Sequence, residues 1–325
     1  MIRPCIAVDK IEADITIKNI REQGLLDSNY RIEQIGDTVY IPLLRKSSDS
    51  MTHNFREIKD SISRIKEQLV ESGINPSDIS YIRLGDSLIF KRTITRKIAC
   101  IFSDLPGIKN IYCETGKISG IKRRPSLKLM YGPGGETRVI EYGITYVMDL
   151  QKVMFSPGNI NTRSKMHSVD LSGSTVMDMF CGIGYFSLPV LKNSIPDRMI
   201  CCDINSDSLY YLKENLSINR INYPVQIFSG DSRSLLPFVR ADYIIMGNFN
   251  SPDFLNAALI RSGCGTKISM HYLTTTNGEE IMESNIIKMA RKLGFIIQCT
   301  YTAIVKSVGP KYIHINSIFT VMQKI

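Results

Sequence analysis

Asp178-Met179-Phe180-Cys181-Gly182-Ile183-Gly184-Tyr185-Phe186 stands where an apolar run at 176–180 gives way to a helical pattern at 185–192. A strand that turns into a helix through Gly-x-Gly lets the backbone approach a ligand and leaves helix N-terminal amides exposed, while the strand-end carboxylate can reach an ammonium group. The third glycine of the dinucleotide fingerprint is missing, since Ser187 follows Phe186, which makes NAD the weaker reading.

Outward from this turn, apolar runs at 199–203, 226–229 and 243–246 alternate with a helical pattern at 206–219. Such alternation predicts a doubly wound, mostly parallel sheet from about residue 166 onward. Asp203 ends the second strand about 20 residues on, where a carboxylate can take both hydroxyls of a ribose. Asp231, in Ser229-Gly230-Asp231, follows the third strand, in reach of an adenine amino group. Each acid alone is as readily a helix cap, Asp203 preceding Asn205-Ser206, but three acids at consecutive strand ends favour a nucleoside pocket. The fourth strand end offers Asn248 and Asn250, which suit a base edge or an ordinary turn. His271-Tyr272 closes a run at 267–272, and Lys306, Lys311 and His314 follow. A strand-end histidine is usually just hydrogen-bonded, and neither His271 nor His314 has a metal-ligand companion at suitable spacing, so no metal is expected.

Towards the N-terminus, residues 1–46 read as a strand, a helix at 10–23, and strands at 30–34 and 38–44 joined by Gly36-Asp37. Ser47-Ser48-Asp49-Ser50 reads as a polar linker, followed by an amphipathic helix at 55–72 with Ile58, Ile62, Ile65 and Leu69 at helical spacing. Strand signals crowd the stretch from 74 to 165, at 87–90, 98–102, 108–113, 138–141 and 145–150. Lys122-Arg123-Arg124, between Gly120 and Pro125, suits a solvated loop or phosphate positioning. The predicted fold is α/β: a Rossmann-like domain at 166–325 preceded by two smaller α+β domains at 1–46 and 74–165, with linker and helix at 47–73.

Composition sets the outer bounds. At 325 residues with 43% apolar content the chain suits two or three folded domains. No run approaches the ~18–20 apolar residues of a membrane helix, and Met1-Ile2-Arg3-Pro4-Cys5 lacks a signal peptide's apolar core, so a cytoplasmic protein is expected. Eight cysteines without a Cys-x-x-Cys pair read as reduced core residues. A net charge of +9 favours a polyanionic partner.

These stretches together resemble the archaeal and eukaryotic family that includes the tRNA guanine-37 N1-methyltransferase and the wybutosine-synthesis aminocarboxypropyltransferase. The likeness is carried by Gly24-Leu25-Leu26-Asp27 with Tyr30-Arg31-Ile32-Glu33, by Leu84-Gly85-Asp86 and Glu141-Tyr142-Gly143, and by 152–159 ahead of Arg163. It continues through the glycine turn to Val305-Lys306-Ser307. The resemblance implies an N-terminal domain that engages the tRNA body, a middle domain that holds the anticodon region, and a class I methyltransferase-like domain binding S-adenosylmethionine. It places Asp178, Phe180, Gly182, Gly184, Phe186, Asp203, Ile204, Asp231, Ser232 and Gly247 at the cofactor, and Arg123, Arg163 and Asn248 near the target nucleotide at tRNA position 37. A monomer without metal is expected.

The group transferred depends on which carbon of the sulfonium is held in line with the nucleophile. Alkylating guanine N1 also needs a base for its proton. The methyltransferase branch usually carries Glu just before the arginine of Asn-x-x-Glu-Arg, whereas this chain reads Asn159-Ile160-Asn161-Thr162-Arg163. Its Asn-Leu-Pro-like motif is replaced by Met246-Gly247-Asn248-Phe249, which looks more like the aminocarboxypropyl branch. Aminocarboxypropyl transfer to a wyosine-type precursor is the favoured expectation, ahead of guanine-37 N1-methylation and of a tRNA-binding protein that has lost catalysis.

Overall fold

The computed structural model describes residues 2–47, 50–55, 61–116 and 120–325. The chain forms two compact units, one of residues 1–80 with 95–108 and one of 81–94 with 109–325. Among the described residues no helix is long and apolar enough to cross a membrane.

In the first unit, β1 (Ile2–Asp9), β2 (Glu33–Ile35), β3 (Thr38–Pro42) and β4 (Met51–Asn54) form an antiparallel sheet of order β2-β3-β1-β4, with α1 (Ala13–Glu22) following β1. Alternate residues Val39, Ile41 and Leu43 pack with Ala13 and Ile20 of the helix, as a period-2 strand against a helical stripe requires. Strand β4 falls where the sequence reads as a linker running into a helix. Pairing of Met51 with Cys5 on the open edge of β1 overrides the local polarity. Helix α2 (Ser61–Glu71) buries Ile65 and Leu69, while Ser48, Asp49 and Ile58 lie outside the described residues.

The apolar run at 98–102 is not the expected strand but lies in α3 (Arg96–Ser103). The Thr95 side chain accepts the Ile98 amide as an N-cap, and burial of Ile98, Ala99 and Phe102 follows the helical period. Five apolar residues in a row do not distinguish the two periods.

The second unit opens with a sheet of β5 (Tyr81–Leu84), β6 (Ser87–Phe90), β7 (Asn110–Glu114) and β8 (Leu127–Tyr131), and a hairpin of β9 (Glu136–Glu141) and β10 (Ile144–Asp149). After α4 (Ile160–Met166) comes the alternating region: β11 (Thr175–Asp178), α5 (Ser187–Asn193), β12 (Arg198–Asp203), α6 (Ser206–Ile218), β13 (Val225–Ser229), α7 (Ser232–Leu235), β14 (Ala241–Met246) and α8 (Leu255–Leu259). The chain ends with β15 (Ser262–Thr275), α9 (Glu279–Lys292), β16 (Phe295–Val308) and β17 (Tyr312–Lys324).

Strands β11 to β17 form one sheet in the order β13-β12-β11-β14-β15-β17-β16. Its first five members are parallel, and β17 runs antiparallel to both neighbours. The doubly wound fold read from the sequence is therefore present. Neighbouring residues on each strand enter opposite cores: Met177, Ile200 and Ile244 join Ile286 and Ala290 of α9, whereas Val176, Met199 and Tyr243 join Val190 of α5 and Leu212 of α6. Strand order reverses between β11 and β14, so their carboxyl ends diverge at a switch point where open α/β sheets bind ligands.

The hairpin is stitched to α6 by two asparagines. Oδ1 of Asn215 accepts the Val147 amide at 2.7 Å, and Asn219 both accepts from and donates to the Thr145 backbone. Asn215 also donates through Nδ2 to the Ile183 carbonyl of the glycine bend at 3.1 Å.

Candidate functional site

At the switch point the bend from Cys181 to Gly184 turns on two glycines with positive φ, +54° at Gly182 and +97° at Gly184. A Cβ on Gly182 would stand 2.4 Å from Cε2 of Tyr185, and one on Gly184 2.7 Å from Cγ of Leu188. The freed Gly182 amide donates to Oδ2 of Asp203 at 2.8 Å, while Oδ1 accepts the Asn205 amide. Each carboxylate oxygen keeps a lone pair for a further donor. Burial raises the Asp203 pKa, opposed by the backbone amides of Asn205, Gly182 and Ile204 and by Arg123.

The bend opens on a cavity of about 690 Å³ that lies within the second unit. Of the residues named from sequence, Phe180, Gly182, Phe186, Asp203, Ile204, Asp231, Ser232, Gly247, Arg123, Arg163 and Asn248 line it. Asp178 and Gly184 do not: Gly184 packs on Leu188 and Leu212, and Asp178 is fully buried, accepting from the Phe180 amide and from Oγ of Ser187 at 2.7 Å. Burial pushes the Asp178 carboxyl up to about 7 against those two hydrogen bonds.

One end of the cavity is acidic and aromatic. Asp231 caps α7 and pairs with Arg233 at 2.6 Å, which holds its carboxyl below the usual range through the Arg233 side chain. Arg233 stacks on Phe254 at 4.5 Å, and Phe254 meets Phe180 edge to face at 4.7 Å. Neither Arg233 nor Phe254 is marked in the sequence by any periodic signal.

The other end is cationic. Two adjacent cations of the loop do different things: Arg123, at φ 49°, sits over the Phe249 ring, whereas Arg124 pairs with Asp207. Lys306 donates to Oγ of Ser156 at 2.7 Å, in space that a side chain at Gly158 would contest. Burial and the neighbouring Arg163 and Arg123 lower the Lys306 pKa. Arg163 is less available, since Nε and Nη2 grip Glu141 at 2.7 and 2.8 Å and Nη1 donates to the Ser156 carbonyl. Asn248 Oδ1 accepts the Asn250 amide, so this side chain also holds its own turn. Thr162 lines a separate cavity with Lys165 and Tyr301. His271 lies inside β15 rather than at its end, bonded to His314, which lines the main cavity.

Four buried side-chain atoms around this cavity have no partner among the described residues: Nε of Arg123, Oδ1 of Asn159, Oγ of Ser232 and Nδ1 of His314. An unmade hydrogen bond at a buried group costs about 1–3 kcal/mol. Open capacity gathered around one space, lined by Asp203, Asp231 and Asp253 and by Arg123, Arg233 and Lys306, fits a nucleoside bearing a charged polar tail.

Residues 137–299 match the TRM5/TYW2 methyltransferase domain, and residues 5–51 the tRNA methyltransferase 5 N-terminal domain. The chain is 34% identical over 169 residues to the tRNA(Phe) (4-demethylwyosine(37)-C(7)) aminocarboxypropyltransferase of Methanocaldococcus jannaschii, covering 52% of this chain and 68% of the relative. It is 30% identical over 249 residues to the tRNA (guanine(37)-N(1))-methyltransferase Trm5b of Pyrococcus abyssi, covering 72% and 73%. The crystal structure of that Trm5b shares the fold, with a TM-score of 0.68 at 24% identity over 99% of this chain and 100% of that one.

Proposed function

Since this chain belongs to the TRM5/TYW2 methyltransferase family, we propose that it transfers the 3-amino-3-carboxypropyl group of S-adenosylmethionine to a tricyclic guanine derivative at position 37 of tRNA. It acts as a cytoplasmic monomer without metal. When bound, S-adenosylmethionine supplies a sulfonium whose methionyl carbon is open to in-line displacement. Asp203 holds the ribose, Asp231 and Ser232 the base, and Phe180, Ile204 and Phe186 with Gly182 and Gly247 shape the slot. Asp178 and Gly184 hold the bend from behind, without touching the ligand. Arg123 and Lys306 neutralise anionic groups at the opposite end, Asn248 meets the target base, and Arg163 positions the Ser156 loop through Glu141. The N-terminal domain at 1–46 engages the tRNA body, and 74–165 the anticodon region.

The observation that supports the choice of group is that, among the described residues, no glutamate lines the cavity. The lining acids are Asp203, Asp231 and Asp253: Asp203 faces Arg123 and is held by the Gly182 and Asn205 amides, and Asp231 and Asp253 stand beside Arg233. Methylation of guanine N1 must strip a proton from a neutral lactam and wants a positioned strong base. Alkylation at a ring carbon releases its proton after the new bond has formed, when the ring is cationic, and a weak base suffices. The methyltransferase reading is favoured by the match that extends to residues 5–51. Incubating protein, S-adenosylmethionine and tRNA and identifying the spent cofactor tests the choice. Methylthioadenosine is expected; S-adenosylhomocysteine would overturn it in favour of methylation. A chain that binds tRNA but forms neither product is a binding protein.

A further inference from the structure

His271 and His314 share one face of the β15–β17 ladder, diagonal to each other, since His271 faces Asn316 and His314 faces Leu273. Nδ1 of His271 lies 2.9 Å from Nε2 of His314, and both rings are buried. The rings are held by Phe186, 5.1 Å from His271, and by Phe249, packed edge-on at 4.7 Å from His314. The charged groups facing the pair are Lys306 from β16 and Arg123 from the loop after Gly120. Burial, then those two cations, push His314 down to about 4, and burial, then His314, push His271 to about 3, so both rings are neutral at physiological pH.

His314 lines the cavity at its cationic end, and its Nδ1 is shut off from solvent without a partner among the described residues. Thr162, at the position where the family's methyltransferases usually carry glutamate, lines the separate cavity. Asp203 also faces Arg123, but its two oxygens already accept the Gly182 and Asn205 amides, whereas the His314 imidazole lies beside Arg123 and Lys306 with a ring nitrogen to spare.

Resting on the transfer reading above, the geometry points to His314 as the base that removes the ring proton of the alkylated nucleobase at Nδ1, with His271 as a positioning residue that fixes its tautomer. Nε2–H of His314 donates to Nδ1 of His271, which leaves Nδ1 of His314 bare. The ring carbon of the nucleobase forms the new carbon–carbon bond while the carbon–sulfur bond breaks, its electron pair going to sulfur. The carbon–hydrogen bond then gives its proton to Nδ1 and its electron pair back to the ring. A weak base serves, because the proton to be lost sits on a cationic ring, and a weak base stays unprotonated beside two cations. Phe249 is the side chain that must yield for the nucleobase to reach Nδ1.

His314→Gln places an amide near the Nε2 position, preserving the contact to His271, and removes Nδ1. Single-turnover transfer should fall by about 10²-fold or more, while affinities for S-adenosylmethionine and tRNA stay within about twofold. With a substrate deuterated at the reacting ring carbon, the wild type should show no primary isotope effect and the variant a clear one, because proton loss becomes limiting. Should that variant fail to fold, His271→Leu, which removes the acceptor for Nε2–H of His314, is used instead and should slow transfer about 10-fold with the same emerging isotope effect. The chain has 4 histidines, so ring ¹⁵N spectra of the wild type at pH 6.5 are readily assigned and should show His314 neutral with Nδ1 unprotonated. A protonated Nδ1, or a His314→Gln protein that turns over at the wild-type rate, overturns the proposal while methylthioadenosine formation still stands. A wild type that forms neither methylthioadenosine nor S-adenosylhomocysteine overturns the transfer reading itself, and this base with it.

Discussion

Replacing Asp178 by Asn should flatten the stability of the second unit against pH. The carboxyl is fully buried, and its folded pKa stands at about 7 against an ordinary 3.8. A carboxyl raised on folding favours the native state while protonated, so its contribution is complete below the unfolded value and is lost as pH rises through the folded one. A rise of roughly 3 units amounts to about 4 kcal/mol in all, at about 1.4 kcal/mol per unit. Somewhat over 1 kcal/mol of this is gone by pH 5, which leaves roughly 3 kcal/mol to be lost between pH 5 and about 8.5. The amide variant has no proton to lose, retains an oxygen for the Phe180 amide, and lets the Ser187 hydroxyl rotate to suit. Thermal unfolding of both proteins at pH 5, 7 and about 8.5, at fixed ionic strength, reads the effect. The gap between their Tm values should move in favour of the variant by roughly 6–12 °C, at 2–4 °C per kcal/mol for a unit of this size. Parallel Tm profiles across that range would refute a carboxyl held neutral behind the glycine bend.

Asp203→Ala should weaken S-adenosylmethionine binding about 10- to 100-fold by calorimetry, through lost hydrogen bonds to a charged acceptor, with little change in tRNA affinity. Equal losses in both would remove Asp203 from the ribose. Glu141→Gln leaves the Arg163 guanidinium buried and without its counter-charge, and should destabilise the chain by about 3–5 kcal/mol in urea unfolding. A change under about 1 kcal/mol would mean that the Ser156 carbonyl and the Phe155 ring suffice to hold Arg163.

The sheet was legible because β11, β12 and β14 are buried on both faces and announce themselves as apolar runs, each ending in a carboxylate or a turn. Asp203 and Asp231, picked out by their spacing, do line the cavity. Asp178 looks the same in sequence but is turned inward by Ser187, and nothing in the spacing of acids reveals which way a carboxylate points. The stretch at 98–102 failed for want of a period, and β4 because a sheet edge supplied by β1 is invisible from residues 51–54. The cationic end was the least legible part. It is assembled from Arg123, Ser156, Lys306 and His314, and it depends on a left-handed residue at 123 and on a hairpin that carries Lys306 across from His314.

Asn215 touches three segments that sequence separates widely. Its amide oxygen holds Val147 of the hairpin, its nitrogen holds Ile183 in the bend, and its backbone belongs to α6. An asparagine side chain is short and has two torsions, so it ties the three segments at nearly fixed separations. The β10 edge is thereby closed to strangers as well: amides that would otherwise invite a foreign strand are occupied by a helix of the same chain.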